Sequence, residues 1–310
     1  MSQVTVAFAL SGGGNLGAMQ AGAMRALLDA GVEPDLLVGS SVGALNAAFY
    51  ATHPGISGAR ALEAAWVGLS RRAVFRFEPG VVLAGFLGLR DHLVTTRRFR
   101  HLVRRWLEIE RIEEAAVPFA AVATDALSGE AVVLDHGDVV GALAASSAIP
   151  GLFPPVRHEG RWLLDGSLAA GCPVTEALDL GARTVYVLST ATAARVRPPR
   201  GAVAIAMNSV SLVAARLHRQ QLAAAQHRAT ALGGAIWVVP SPEPEAPSPF
   251  DFRHGQALAA AAYRHTRAWL EVSDRVTGPA LEAELDGVPT GADVAAEAGG
   301  EEMASQGGSA

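Results

Sequence analysis

The sequence contains no lysine: all 25 of its basic residues are arginine. That excludes a P-loop lysine, a Schiff-base lysine and a Ser–Lys dyad. Cysteine is nearly absent as well. With Cys172 alone there is no internal disulfide and no Cys-rich zinc site, which suits a reducing compartment. Charged residues make up only 18% of the 310 and the formal net charge is -5, so the basic footprint of a nucleic-acid binder is missing. The 50% hydrophobic content is in turn too high for a disordered chain. Met1-Ser2-Gln3-Val4-Thr5 offers no basic residue ahead of a short apolar run ending at Leu10, so no signal peptide is expected. From Leu36 to Ala59 there is no Asp, Glu or Arg, which mimics a membrane span. Gly39, Gly43, Asn46, His53, Pro54 and Gly55 suit a buried strand, turn and helix better, so no transmembrane helix is expected. The expected location is cytoplasmic, with peripheral contact at a membrane.

What is present is a rhythm of apolar strand, glycine turn and helix. Val4 to Leu10 is β-prone and runs into Ser11-Gly12-Gly13-Gly14; Ala18 to Ala30 then reads as a helix closed by Gly31. Leu36-Leu37-Val38 is a short strand, followed by Gly39-Ser40-Ser41-Val42-Gly43 and a helical run from Ala44 to Tyr50. Two such units in succession point to a parallel α/β sheet. Further strands are expected at 119–124, 131–134, 161–164, 184–188 and 235–239, and helices at 207–232 and 255–270. Residues 60–114 read as an arginine-rich insertion of helices and loops, and 241–249, with four prolines, as a loop. After about Gly287 the composition turns to Gly, Ala, Glu and Ser. Residues 1–290 are therefore expected to form one α/β domain, and 291–310 a disordered tail.

Three motifs can carry chemistry. Gly39-Ser40-Ser41-Val42-Gly43 fits G-x-S-x-G with Ser41 central; flanking glycines let the backbone bend sharply, and the following helix aims its N–H groups at the serine. The loop Gly12-Gly13-Gly14-Asn15-Leu16-Gly17 has two readings. As G-x-G-x-x-G it matches a dinucleotide fingerprint, but Asp35 stands at the start of the next strand, where a ribose-gripping acid would need to be at its end. Alternatively its N–H groups form an oxyanion hole beside the serine on the neighbouring strand. The third motif is Asp165-Gly166-Ser167, a carboxylate at the end of a short apolar segment. His218, His227, His254 and His265 follow Asp165 in the order of a Ser-Asp-His triad, but only one strand precedes the strand bearing Ser41, against the several of an α/β-hydrolase. These histidines are expected to be solvated or capping.

Taken in this order, the three motifs resemble the patatin-like phospholipase family. The likeness extends to Leu10-Ser11-Gly12-Gly13-Gly14, Ala123-Thr124-Asp125 and the run from Ala145 to Pro155, and covers about residues 6 to 178. The resemblance implies a three-layer α/β/α fold around a mainly parallel sheet. It also implies a Ser–Asp dyad without a catalytic histidine. Ser41 would be the nucleophile and Asp165 the general base, with Gly12, Gly13 and Gly14 holding the oxyanion; Gly17, Gly39, Gly43 and Gly166 would support the motifs. The implied substrate is a lipid or other long-chain ester, and neither metal nor cofactor is implied. Two positions depart from the family pattern: Leu16 stands where the family often has Arg or Lys, and Ser167 where it has Gly or Ala. A non-catalytic lipid-binding relative of the same fold is the remaining alternative.

Two expectations concern side chains outside the motifs. In the insertion, Arg71, Arg72, Arg76, Arg97, Arg98, Arg100, Arg104 and Arg105 are interleaved with bulky apolar residues. The functional reading is a lid or interfacial surface on which the arginines meet lipid headgroups while Phe75, Phe77 and Phe86 lead acyl chains to Ser41. The plainer reading is that the aromatics pack the insertion onto the core and the arginines face water. Asp125 is expected to be structural and buried near the sheet edge.

Overall fold

The computed structural model describes residues 5–75, 77–190, 201–242 and 251–273. The expected tail 291–310, the end of the 1–290 domain, Val4, Arg76 and most of the proline-rich 241–249 loop lie outside the described residues. In chain order the elements are β1 (Val6–Leu10), α1 (Gly17–Asp29), β2 (Leu36–Ser40), α2 (Val42–Thr52), α3 (Gly55–Gly68), α4 (Arg71–Val74), α5 (Pro79–Phe86), α6 (Arg97–Trp106), β3 (Phe119–Asp125), β4 (Ala131–Leu134), α7 (Val139–Ser146), β5 (Val156–His158), β6 (Arg161–Asp165), α8 (Val174–Asp179), β7 (Thr184–Leu188), α9 (Ala202–Ala231), β8 (Ala235–Val239) and α10 (Gly255–Ser273). Strands expected from sequence recur within two residues of their bounds. Strand β5 and helices α7 and α8 are additions. Among the described residues no helix is long and apolar enough to cross a membrane, and 36–59 folds as β2, α2 and the start of α3.

The fold is α/β, and the described residues form an eight-stranded sheet covered by helices on both faces. Strands β1, β2, β3, β7 and β8 run parallel, β4 and β6 pair antiparallel with β3, and β5 pairs antiparallel with β6 at the sheet's end. The inner strands are buried on both sides, which is why they read as unbroken apolar runs. Successive side chains alternate between the two layers. Phe8, Leu10, Leu37, Phe119, Ala121 and Ala123 join the core made with α1, α2, α3, α6, α7 and α10. Ala7, Ala9, Leu36, Val38, Ala120 and Val122 join the one made with α8 and α9.

One topological detail fixes the site. Ala123 and Thr124 of β3 pair with β4 and also with β6, so those two strands must lie on opposite edges of β3. Strand β6 therefore continues along the edge that β2 occupies further back, where Ser40 pairs with Val122 and Asp165 with Ala123. Ends of β2 and β6 meet there head to head. This brings together two residues 124 positions apart in the chain.

Candidate active site

The first residue of this meeting is Ser41, which follows β2 and caps α2. Its backbone sits at φ 54, ψ −121, in the left-handed region that a non-glycine residue adopts only when its surroundings enforce it. The flanking glycines show what enforces it. A Cβ on Gly39 would lie 2.3 Å from the Gly43 carbonyl carbon, and one on Gly43 would lie 2.2 Å from the Leu10 carbonyl oxygen at the end of β1. Backbone is packed on backbone here, and only glycine allows it. The Ser41 N–H donates to Ser146 Oγ at 2.9 Å, and that hydroxyl donates to the Val122 carbonyl at 2.6 Å, anchoring the turn to α7 and β3. Ser40 points the other way, its Oγ donating to the Ala170 carbonyl at 2.7 Å.

The second residue is Asp165, at the end of β6. Ser41 Oγ donates to Asp165 Oδ2 at 2.7 Å, and the Ser167 N–H donates to Asp165 Oδ1 at 2.9 Å. Both side chains are nearly sealed from water, Ser41 at 7% and Asp165 at 5% exposure. Burial raises the Asp165 carboxyl above its ordinary value; hydrogen bonds from Ser41, the Ser167 N–H and the Ser167 hydroxyl pull it partly back. Thr124 Oγ1 donates to the Asp165 carbonyl at 2.8 Å and fixes the strand end. Gly166 is pressed onto β3, where a Cβ would lie 2.0 Å from the Val122 carbonyl oxygen.

The glycine loop closes the third side. A Cβ on Gly12 would lie 2.0 Å from Ser167 Oγ and 3.3 Å from Ser41 Cβ, so this backbone passes directly over the serine. The N–H of Gly12 is already engaged with the Gly171 carbonyl at 3.3 Å. The N–H groups of Gly13 and Gly14 have no acceptor among the described residues. Gly17, beginning α1, packs against Val42 and Trp66. Ser41, Asp165 and the loop are thus brought together. Among the described residues no histidine bonds to either side chain of the pair, and no group of three His, Cys, Asp or Glu could hold a metal.

A buried polar chain, absent from the sequence reading, supports the loop from behind. Trp66 Nε1 donates to Asn46 Oδ1, and Asn46 Nδ2 donates to Gln20 Oε1 and to the Gly17 carbonyl, each at 2.9 Å. Gln20 Nε2 then donates to the carbonyls of Ser11 (2.8 Å) and Leu188 (3.0 Å). Thr190 completes it. Its N–H donates to Ser11 Oγ at 2.7 Å, and its hydroxyl donates to the Gly12 carbonyl.

Two expectations need correction. His218 is buried at 8% exposure, with its Nδ1 unpartnered among the described residues and its ionisation suppressed by burial and by Arg219. It was expected to be solvated or capping; α9 instead turns this face onto Gly171. His227, His254 and His265 are exposed. Asp125 is only partly buried, because its Oδ1 accepts the N–H groups of Leu127 and Ser128 (2.9 and 3.1 Å) in the open turn between β3 and β4. Those bonds hold its carboxyl below the usual range.

The chain is similar in sequence to several known proteins. The sequence model of the family described as Patatin-like phospholipase matches residues 8–178. An uncharacterized NTE family protein of Mycobacterium bovis is 31% identical over 192 residues, 61% of this chain and 49% of that protein. The patatin-like phospholipase domain-containing protein 6 of Homo sapiens is 28% identical over 186 residues, 59% of this chain but 13% of that one. The chain thus spans half or less of the length of these relatives. Among solved structures, VipD from Legionella pneumophila aligns over 87% of this chain and 67% of its own, with a TM-score of 0.43 and 15% identity.

Proposed function

This chain belongs to the patatin-like phospholipase family, and from that premise we propose that it is a lipid acyl hydrolase working through a Ser41–Asp165 dyad. The observation that carries the proposal is the 2.7 Å bond from Ser41 Oγ to Asp165 Oδ2 within a sharply constrained, nearly water-free turn. Ser41 Oγ attacks the ester carbonyl carbon as its proton passes to Asp165 Oδ2. The tetrahedral oxyanion lies against the Gly13 and Gly14 N–H groups, which have no acceptor among the described residues, and near the N-terminus of α2. Gly12 shapes the loop, since its own N–H is committed to Gly171. Asp165 returns the proton to the departing alkoxide, leaving an acyl-enzyme on Ser41. A water that Asp165 deprotonates then attacks the acyl carbon, the acid leaves, and Ser41 regains its proton. Burial raises the affinity of the Asp165 carboxylate for a proton, which suits a base that must hold one between these steps.

The substrate class follows from the family and is part of the proposal: a phospholipid or another long-chain carboxylic ester. Incubating the protein with a panel of phospholipids, lysophospholipids and simple long-chain esters, with Ser41→Ala as the blank, should release free fatty acid from at least one of them. A well-folded wild type that releases none, with vesicles present, removes the hydrolase reading.

A further inference from the structure

We infer that the insertion between α2 and β3 is a docking surface for an anionic lipid bilayer, with the α5 segment entering the lipid and Arg71, Arg72 and Arg98 holding headgroup phosphates. This deepens the preceding proposal and rests on its lipid reading for the relevance of a membrane.

The charge distribution is the first observation. Residues 71–106 contain nine arginines against Glu78 and Asp91, in a chain whose net charge is -5. None of the eight described arginines in this stretch forms an ion pair with a described residue. Three of them, Arg71, Arg72 and Arg98, converge with Phe75 and Phe77 around a cavity of about 340 Å³. Helix α6 separates its faces sharply: Phe99, Leu102 and Val103 are buried, while Arg97, Arg98, His101, Arg104 and Arg105 are exposed. Unpaired guanidinium groups around a concavity suit phosphate oxygens.

The second observation is apolar surface of the wrong kind for water. Helix α5, sequence PGVVLAGF, carries no charged residue and buries none of its own. Around it Phe77 is 47% exposed, Leu83 61%, Phe86 65%, Leu87 64% and Leu89 75%. A contiguous run of bulky apolar side chains rimmed by basic ones is the composition of an interfacial element. Phe75, expected to join it, packs inward against Phe153 and Phe252.

The third observation links this surface to the site. The N–H groups of Leu93 and Val94 donate to the carbonyls of Gly151 and Leu152, and Phe75 stacks on Phe153. The same segment, at Ala148, accepts the Asp165 N–H at 3.0 Å. The insertion is thus tied to the 148–153 segment that also holds the strand end carrying Asp165.

The test is sedimentation of the full chain with vesicles of ether-linked lipids, which ester hydrolysis cannot consume, made of phosphatidylcholine with or without phosphatidylglycerol. Binding should require phosphatidylglycerol and weaken with added salt. Replacing Arg71, Arg72 and Arg98 together by Ser should lower partitioning about 10²-fold, and replacing Phe77, Leu83 and Phe86 by Ser should lower it at least about tenfold. Both variants should keep the circular dichroism and the urea midpoint of the parent; Arg228→Ser, on α9 and paired with Asp179 of α8, should bind like wild type. Equal binding to neutral and anionic vesicles, or undiminished binding by either folded variant, overturns the proposal. Because binding is read without turnover, absence of esterase activity would remove the hydrolase reading while leaving this result to stand or fall alone.

Discussion

Asp165→Asn should fold normally and lose about 10²–10⁴-fold in kcat on any ester that the wild type cleaves. Asn keeps the shape and still accepts the Ser167 N–H, but it cannot take the Ser41 proton. The effect on stability has the opposite sign. Burial raises the folded-state carboxyl above its unfolded value, so the folded protein holds the proton more tightly than the unfolded chain. The stability this confers is complete below the ordinary carboxylate value and is lost as pH rises through the raised one. At a pH above the raised value the wild type carries a buried charge that the neutral Asn does not, and there the variant's Tm should equal or exceed the parent's. The wild-type rate should fall on acidification, with a midpoint above the ordinary carboxylate value, because the base must be ionised to act. Turnover of folded Asp165→Asn within tenfold of wild type would contradict the assignment.

Gln20→Met should destabilise the protein by about 2–4 kcal/mol, seen as a lower urea midpoint with an unchanged m-value. Methionine matches the volume of glutamine while deleting every hydrogen bond it makes. The Ser11 carbonyl, buried at the end of β1, loses the Gln20 donor, whereas the Leu188 carbonyl keeps the Ser11 N–H. Asn46 loses one acceptor but retains Gly17. Since Ser11 precedes Gly12, kcat should fall more than KM changes. An unaltered urea midpoint would show that the chain from Trp66 to Ser11 contributes nothing to holding the loop.

Much of this was readable from the residues because the signals were local. The inner strands are sealed on both faces, so their apolar runs marked them closely. Gly39 and Gly43 marked the turn because nothing larger fits between β1 and α2. What escaped depends on contacts across the chain. That Asp165 reaches Ser41 follows from β6 taking the β2 edge of β3, which no spacing in the sequence encodes. Gln20 and Asn46 read as ordinary polar members of alanine-rich helices, and only the packing of α1, α2 and α3 makes them one hydrogen-bonded chain. Residues 139–146 carry no amphipathic period because α7 is buried along its whole length, and 174–179, at six residues, are too short to display one. His218 was misjudged for a related reason: the Ala, Gln and Arg around it suggested a solvated helix, whereas α9 covers one face of the sheet.

The central claim is that Ser41 is a nucleophile activated by Asp165, and covalent labelling with a fluorophosphonate probe tests it most directly. The wild type should gain one phosphonyl adduct, located by mass spectrometry on the peptide containing Ser41. Ser41→Ala should gain none, and Asp165→Asn should label far more slowly. A folded wild type that stays unlabelled with vesicles present, or an adduct on any other residue, would contradict the account.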